Sequence, residues 1–195
     1  MFDQLFKKKD NTSSHHSRPA MSEVEINANK ALIRHLLKST NRAGMEKVLE
    51  YLDAKDFYTA PSSSHRHHNW RGGLAQHSID VFKTALSFDD ALQADSVIIT
   101  GLLHDIYKAG KYFIDSTGVI RKRSDHPKGH GRRSILLLQE LGLTLTEDER
   151  LTIRWHAGGN SASEEDAPDV EKARLSPLWK AINRADTLNS KQHLG

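Results

Sequence analysis

The chain has 195 residues, of which 37% are hydrophobic, and its formal net charge is +3. This length suits a single domain with one core. No segment approaches the roughly 20 apolar residues of a membrane-spanning helix, and the absence of cysteine excludes disulfides and thiolate zinc sites. Any metal ligand must therefore be His, Asp or Glu, and we expect a cytoplasmic protein without a membrane partner.

The chain begins with a polar segment and continues with helical patterns. Residues 1–21 are predicted to be a mobile tail, because Ser, Thr, Asn and His occupy residues 11–17. Residues 22–195 are predicted to form one domain. A first helix should begin after Ser22, since Glu25 follows three positions later, as in a capping box. A second helix is predicted from about Ala43, and a loop follows it.

The central part of the chain contains the most apolar predicted helix. A third helix should begin near Gly73, and a fourth should extend over residues 94–109, with residues 97–103 apolar nearly all round. A small β-hairpin is predicted near residues 111–121, followed by helices over residues 131–141, 146–156 and 176–190. The predicted class is all-α, with at most this small hairpin.

Several of these helices direct polar side chains towards the predicted core. The side chains are His77, His104, Asp105, His156 and Asp186. His104 and Asp105, for instance, directly follow the apolar run of the fourth helix. Burying a carboxylate beside an imidazole is costly unless both groups are compensated. A shared cation would neutralise the carboxylates and bind the imidazole nitrogens, so the pattern favours a metal site.

Three segments of the sequence resemble a known superfamily. His77 in Gly-Gly-Leu-Ala-Gln-His-Ser, His104-Asp105 in Leu-Leu-His-Asp-Ile-Tyr-Lys and Asp186 in Asn-Arg-Ala-Asp resemble the His, His-Asp, Asp signature of the HD superfamily of metal-dependent phosphohydrolases. The resemblance extends over residues 56–190 and departs at Tyr107, where many members have Gly or Cys. It implies a single HD-domain helical bundle.

The resemblance also implies a set of metal ligands. A first ion would be bound by His77, His104, Asp105 and Asp186. His130 and His156 resemble the additional ligands of members with two metals, so that Asp105 would bridge the two ions. In the alternative, His130 and His156 line the pocket and bind substrate. The cofactor would be a divalent transition metal, with two ions expected and with Mn, Fe, Co, Ni and Zn all open.

Basic residues near these ligands are the predicted substrate contacts. Lys108 follows the His-Asp pair at helical spacing, and the resemblance to His-Asp-x-x-Lys members implies that it contacts phosphate. Arg132 and Arg133 lie at the start of a helix, which favours anions, and Arg71 is a weaker candidate. The histidine-rich run 65–68 is predicted to be a loop near the pocket mouth rather than a metal site.

The predicted function is cleavage of a phosphate ester or anhydride of a nucleotide by metal-activated water. Asp105 would position the water, and Lys108 would stabilise charge on the phosphoryl oxygens. A small-molecule nucleotide is the expected substrate, and nucleic acid is a less favoured one. The oligomeric state does not follow from the sequence.

Two alternatives share the same ligand pattern. Some HD-fold oxygenases use a di-iron centre with these ligands, so the ligands alone do not separate hydrolysis from O₂ chemistry. A module that binds nucleotides or RNA 3′ ends, or degrades them as an exonuclease, is the other alternative. The basic run between Arg121 and Arg133 favours hydrolysis of a phosphate compound.

Overall fold

The computed structural model describes residues 20–89, 91–126, 128–160 and 162–191. The helices of these ranges are α1 (Glu23–Ser39), α2 (Met45–Ala54), α3 (Gly73–Leu86), α4 (Ala94–Leu103), a 3₁₀ helix (Ile106–Lys108), α5 (His130–Glu140), α6 (Glu147–Trp155), α7 (Ala167–Leu175) and α8 (Pro177–Lys191). Strands β1 (Tyr112–Ile114) and β2 (Ile120–Lys122) form an antiparallel hairpin. The structure is 58% helical, which confirms the predicted all-α class.

Helix α4 lies at the centre of the bundle and packs against α3, which in turn packs against α8. Residues 97–103 of α4 are all buried. Gly101 allows α4 to approach α3 closely, because a Cβ atom at this position would lie 2.8 Å from the Cα of Phe82. This approach brings the end of α4 next to His77 of α3. No helix in the described ranges is both long enough and apolar enough to cross a membrane.

The first helix begins with the capping box read from the sequence at Ser22, and α6 begins with a second capping box at Thr146. The Ser22 hydroxyl accepts a hydrogen bond from the backbone N–H of Glu25, whose carboxylate accepts one from the Ser22 backbone N–H. Thr146 and Glu149 make the same reciprocal pair at α6. These local hydrogen bonds satisfy donors at the helix ends, which explains why a short sequence motif predicts both starts.

The fourth helix ends earlier than predicted. We expected one helix over residues 94–109, but α4 ends at Leu103 and a 3₁₀ turn follows it. The backbone N–H of Lys108 donates to the carbonyl of Asp105 at 2.8 Å, which is the i to i+3 pairing of a 3₁₀ helix. Because side chains three positions apart eclipse in that geometry, the 3₁₀ turn places Lys108 directly over Asp105.

Three other segments differ from the sequence prediction. Helix α7 was not predicted, and it buries only Val170 and Ala173, so its sequence carries little apolar periodicity. Strand β2 ends at Lys122, slightly beyond the predicted hairpin. Residues 1–19 of the predicted tail lie outside the described residues. Met21, which the prediction placed in the tail, is buried and donates its backbone N–H to the carbonyl of Arg71 at 3.2 Å.

Candidate metal centre

The predicted metal ligands come together at one end of the central helix. They are His77 in α3, His104 and Asp105 at the end of α4, His130 at the start of α5, His156 at the end of α6 and Asp186 in α8. His77, His104, Asp105 and His156 are fully buried or nearly so. Residues distant in the sequence thus form one polar cluster inside an apolar bundle.

One oxygen of Asp105 faces the α3 side of the cluster. Asp105 Oδ2 lies 3.3 Å from His104 Nε2 and 3.6 Å from His77 Nε2. His77 Nε2 is also 3.2 Å from Asp186 Oδ1 and 3.3 Å from His104 Nε2. The ligand atoms of His77, His104 and Asp186 all lie within 4.8 Å of one another, close enough to share one metal ion.

The other oxygen of Asp105 faces the α5 and α6 side. Asp105 Oδ1 lies 3.6 Å from both His130 Nε2 and His156 Nε2. It is buried and has no hydrogen-bond partner within the described part of the chain. His104, Asp105 and His156 form a second group that could hold a metal ion. The Asp105 carboxylate therefore lies between two sets of imidazoles.

Backbone carbonyls fix the orientation of two of these imidazoles. His104 Nδ1 lies 2.9 Å from the carbonyl oxygen of Gly101, and His156 Nδ1 lies 2.7 Å from that of Ile153. A carbonyl oxygen can only accept, so each Nδ1 carries a proton and each Nε2 points into the cluster. This arrangement is typical of metal-binding histidines.

The resulting contacts fit a cation at the centre. When His104 is neutral, its Nε2 presents a lone pair to Asp105 Oδ2 and towards His77. Such a contact between acceptors is repulsive unless a proton or a metal ion lies between the atoms. The donor set of imidazole nitrogen and carboxylate oxygen suits a divalent transition metal. The residues present therefore fit the metal that the sequence predicts.

The pKa values of both carboxyl groups of the cluster are lowered. Burial alone would raise the pKa of Asp105, but the charges of Lys108 and His104 hold it well below its usual value. The pKa of Asp186 is also lowered, since a hydrogen bond from His77 outweighs its burial. Both carboxylates are therefore ionised in a buried site, which attracts positive charge.

The imidazole groups respond in two ways to the same surroundings. Burial lowers the pKa of His77 to about 4 and that of His130 to about 3, although Asp186 and Asp105 respectively oppose these shifts. Burial also acts to lower the pKa of His104, but the Asp105 charge and hydrogen bond raise it overall. Neutral His77 and His130 each have a nitrogen lone pair that can bind a metal. At His104, a proton would compete with the metal for the Nε2 atom.

Lys108 forms the closest ion pair of the cluster. Its Nζ lies 2.6 Å from Asp105 Oδ2, and its side chain is only 11% exposed. Burial favours the neutral amine, but Asp105 and Asp186 raise the pKa of Lys108, so it remains charged. A buried cation next to the predicted ligands can reach an anion bound at the same place.

The predicted arginine contacts are distributed unequally. Arg132 lines a cavity of about 220 Å³ that is also bordered by His130 and His156. Arg133 instead donates from Nε to the carbonyl of Lys128 at 3.2 Å, and its guanidinium packs over the ring of Tyr107. Of these two arginines, Arg132 is therefore the one that borders the cluster.

Arg71 has a partner elsewhere on the surface. Its Nη2 forms an ion pair at 2.8 Å with Glu23 at the start of α1. This pair connects the loop before α3 to the first helix.

A larger cavity of about 480 Å³, between Lys38 and Gly142, contains none of the predicted ligands.

The histidine-rich loop contributes more to the site than the sequence predicted. His67 lies with its ring centroid 4.9 Å from that of His77. Burial lowers the pKa of His67 to about 3, and the charges of His77 and Lys108 act in the same direction. Ser190 of α8, which sequence reasoning missed, donates to Asp186 Oδ1 at 3.2 Å. Only the run of histidines could have signalled His67 in advance.

The fold and the cluster define an all-α protein with a buried His/Asp site that could hold metal ions. One segment of the chain is similar to the dihydroneopterin 2′,3′-cyclic phosphate phosphodiesterase of Methanocaldococcus jannaschii, with 39% identity over 67 residues. The aligned segment covers 30% of this chain and 27% of that enzyme, so the chain matches about a quarter of the relative's length. No protein-family model matches the chain, and no solved structure matches it significantly.

Proposed function

We propose that the chain is a metal-dependent phosphohydrolase of the HD superfamily that cleaves a phosphate ester of a nucleotide or a nucleotide-like molecule. The observation that carries this proposal is the position of Asp105. Its two oxygens face separate imidazole pairs at 3.3–3.6 Å, while Lys108 contacts the carboxylate from within the same pocket.

Two ions fit this arrangement. His77, His104 and Asp186 would hold the first ion together with Asp105 Oδ2, and His130 and His156 would hold the second with Asp105 Oδ1. Divalent transition metals supply Lewis acidity and a water of lowered pKa in such sites. The orphaned Oδ1 atom supports the second ion, because a buried carboxylate oxygen without a partner is otherwise costly.

The residues of the chain would bind and orient the phosphate. The Lys108 ammonium, held by the 3₁₀ turn, would contact a non-bridging oxygen and stabilise the charge that develops there. Arg132 lines the adjoining cavity and would contact a second anionic group of the substrate. Lys108 is only 11% exposed, so its contact would be largely shielded from water and thereby strengthened.

The comparison supports phosphate ester chemistry. The similar enzyme is named for cleavage of a 2′,3′-cyclic phosphate, which is a diester. A diester carries a single negative charge. One lysine and one arginine, in addition to the two proposed metal ions, therefore supply enough positive charge to offset it. We therefore include cyclic and acyclic diesters among the substrates to test, in addition to nucleoside monophosphates and triphosphates.

A hydrolysis screen under anaerobic conditions tests the proposal. The protein is stripped with a chelator, reloaded separately with Mn, Fe, Co, Ni or Zn, and offered bis(p-nitrophenyl) phosphate, cyclic nucleotides and nucleotides. We expect metal-dependent release of product without oxygen. In a parallel aerobic run, turnover that needs both Fe and O₂ would instead establish oxygenase chemistry. Metal-loaded protein that turns over none of these esters would refute the proposal.

A further inference from the structure

His67 borders the metal cluster without belonging to it. Its ring packs against that of His77 at a tilt of 39° between the ring planes. Its Nε2 is 3.5 Å from Ser190 Oγ, at the outer limit of a hydrogen bond. Among the described residues, the groups that could hold a metal ion do not include His67. The imidazole therefore forms part of the wall beside the ligands.

The loop around His67 is held in place by its own hydrogen bonds. Ser63 Oγ donates to the carbonyl of His67 at 2.8 Å and accepts from the backbone N–H of Arg66 at 2.9 Å. The backbone N–H of Ser62 donates to the carbonyl of His68 at 3.0 Å. These bonds close a compact turn, which holds the backbone that carries the His67 side chain.

The next residue has an unfavourable backbone conformation. His68 is fully buried and has a φ of +50°, which non-glycine residues rarely adopt. Its Nε2 lies 3.0 Å from Asp80 Oδ2 of α3, which anchors the ring. A Cβ atom on Gly73 would lie 2.0 Å from the His68 carbonyl oxygen, so the loop also needs glycine there. Backbone strain such as this positive φ persists only where the surrounding structure imposes it. Strained residues of this kind are found most often at functional sites.

We propose that His67 is a substrate-contacting residue whose imidazole N–H donates a hydrogen bond to an oxygen of the bound phosphate ester. This inference rests on the proposed function. The strained loop directs His67 to the His77 and Asp186 side of the pocket, and Lys108 approaches Asp105 Oδ2, which faces the same side. His67 and Lys108 would therefore both contact a phosphate bound there. His68, Asp80 and Gly73 act as positioning residues.

The ligand class is a tetrahedral oxyanion rather than a particular nucleoside. An imidazole offers one N–H donor in its neutral form, which suits a phosphate oxygen. The contact with Ser190 Oγ is long and can be exchanged for a stronger one to a charged oxygen. His67 should therefore affect the binding of inorganic phosphate as well as that of an ester.

Two substitutions separate the hydrogen bond from the shape of the ring. His67→Phe keeps a ring against His77 but removes the N–H, whereas His67→Gln keeps an N–H donor near the position of Nε2. The matched control is His65→Ala, since His65 is exposed in the same loop and its ring contacts Ser64. All variants are prepared as metal-loaded, full-length protein, and their metal content and melting temperature are measured first.

We expect unchanged metal content in all variants. His67→Phe should bind inorganic phosphate about 10-fold more weakly by calorimetry, and its kcat/KM for bis(p-nitrophenyl) phosphate should fall roughly 10²-fold, the scale of losing one positioned donor. His67→Gln should recover most of both losses, and His65→Ala should match the wild type. This pattern would establish the hydrogen bond.

Other patterns would overturn the inference. If His67→Phe bound phosphate with wild-type affinity, His67 would not contact the phosphate. If both His67 variants lost the same affinity and activity, the imidazole would act through packing rather than through a hydrogen bond. Loss of an ion from either variant would make His67 a ligand. The phosphate titration needs no turnover, so it remains decisive even if the wild-type protein hydrolyses no ester and the proposed function fails.

Discussion

The carboxylates of Glu149 and Asp105 are equally buried in this bundle but differ in the number of hydrogen-bond donors around them. Glu149 of α6 is 0% exposed and Asp105 is 1% exposed. Arg42 donates to both oxygens of Glu149, at 2.7 and 2.9 Å. Ser96 Oγ and the backbone N–H of Thr146 add bonds at 2.7 and 2.8 Å. Each oxygen of Glu149 therefore has two donors, and the network joins α4, α6 and the loop after α1.

Asp105 has the same burial and far fewer donors. Lys108 contacts Oδ2, while Oδ1 has no hydrogen-bond partner within the described residues and faces imidazole nitrogens at 3.6 Å. A buried carboxylate whose oxygens all have hydrogen-bond donors stabilises a fold, whereas one that lacks donors needs a bound ligand to compensate its charge. Burial alone thus does not distinguish a structural carboxylate from a ligand, but the number of donors to each oxygen does.

The largest expected effect follows from neutralising Asp105. Asp105→Asn keeps the size of the side chain but removes the charge shared by both proposed ions. We expect loss of both ions and a fall in phosphate ester turnover greater than the roughly 10²–10³-fold typical of one lost donor. Metal analysis of the purified variant and kinetics at saturating metal measure the two quantities. An Asn variant with wild-type metal content would contradict the bridging role.

Glu149→Gln should affect stability and leave chemistry intact. The substitution leaves the half-buried guanidinium of Arg42 without its countercharge inside the bundle, so we expect the free energy of unfolding to fall by about 3 kcal/mol. Metal content and turnover per folded molecule should stay at the wild-type level. Urea unfolding by circular dichroism, in the presence of chelator, measures the change.

Glu147→Gln is the matched control for this substitution. Glu147 lies on the same helix, but its side chain is 48% exposed and its ion pair with Arg150 is at the surface. We expect its loss to cost about 0–1 kcal/mol. Equal destabilisation by the two substitutions would mean that the Glu149 network is not the structural counterpart of the Asp105 site.

Lys108→Met should separate phosphate contact from metal binding. The variant keeps the apolar stem and removes the charge, so the ions should remain and turnover should fall roughly 10²-fold. Lys83→Met, at an exposed position of α3, is the control and should behave as the wild type. Wild-type turnover in Lys108→Met would remove this lysine from the proposed mechanism.

Glu149 should contribute to the pH dependence of stability in the metal-free protein, alongside the carboxyl groups of the cluster. Burial opposes ionisation, but bonds from Arg42, Thr146 and Ser96 hold the pKa of Glu149 below its usual 4.5. A lowered pKa in the folded state stabilises the fold above about pH 4.5, and this contribution disappears as the pH falls towards the folded-state pKa. The stability difference between wild type and Glu149→Gln should therefore shrink below that pH. A constant difference would contradict the assignment.

The sequence predicted those parts of the fold that depend on local patterns. Helix starts at Ser22 and Thr146 follow from neighbouring residues, and the buried α4 follows from its continuous apolar run. The break after Leu103 could not be predicted, because 3₁₀ and α turns have similar residue patterns and the break depends on how the buried pair that follows is packed. Helix α7 was missed because few of its residues reach the core.

The site was predictable as a set of residues but not as a geometry. Charged and imidazole side chains on apolar helix faces indicated the cluster, since burial of such groups needs compensation. The two-sided position of Asp105 depends on contacts between helices, and so does the pairing of Glu149 with Arg42, which is 107 positions away. Arg71 was predicted as a weaker substrate contact from its position before Gly72, and its ion pair with Glu23 depends on a contact between distant segments that the sequence does not indicate.

A metal titration tests the central claim most directly. Chelator-stripped protein is titrated with Mn²⁺ under anaerobic conditions while hydrolysis of bis(p-nitrophenyl) phosphate is followed. If Asp105 bridges two catalytic ions, activity should rise from zero and saturate near about two equivalents per chain, as expected for a two-metal site. Binding of the metal without any hydrolysis, or hydrolysis that persists in the stripped protein, would contradict the account.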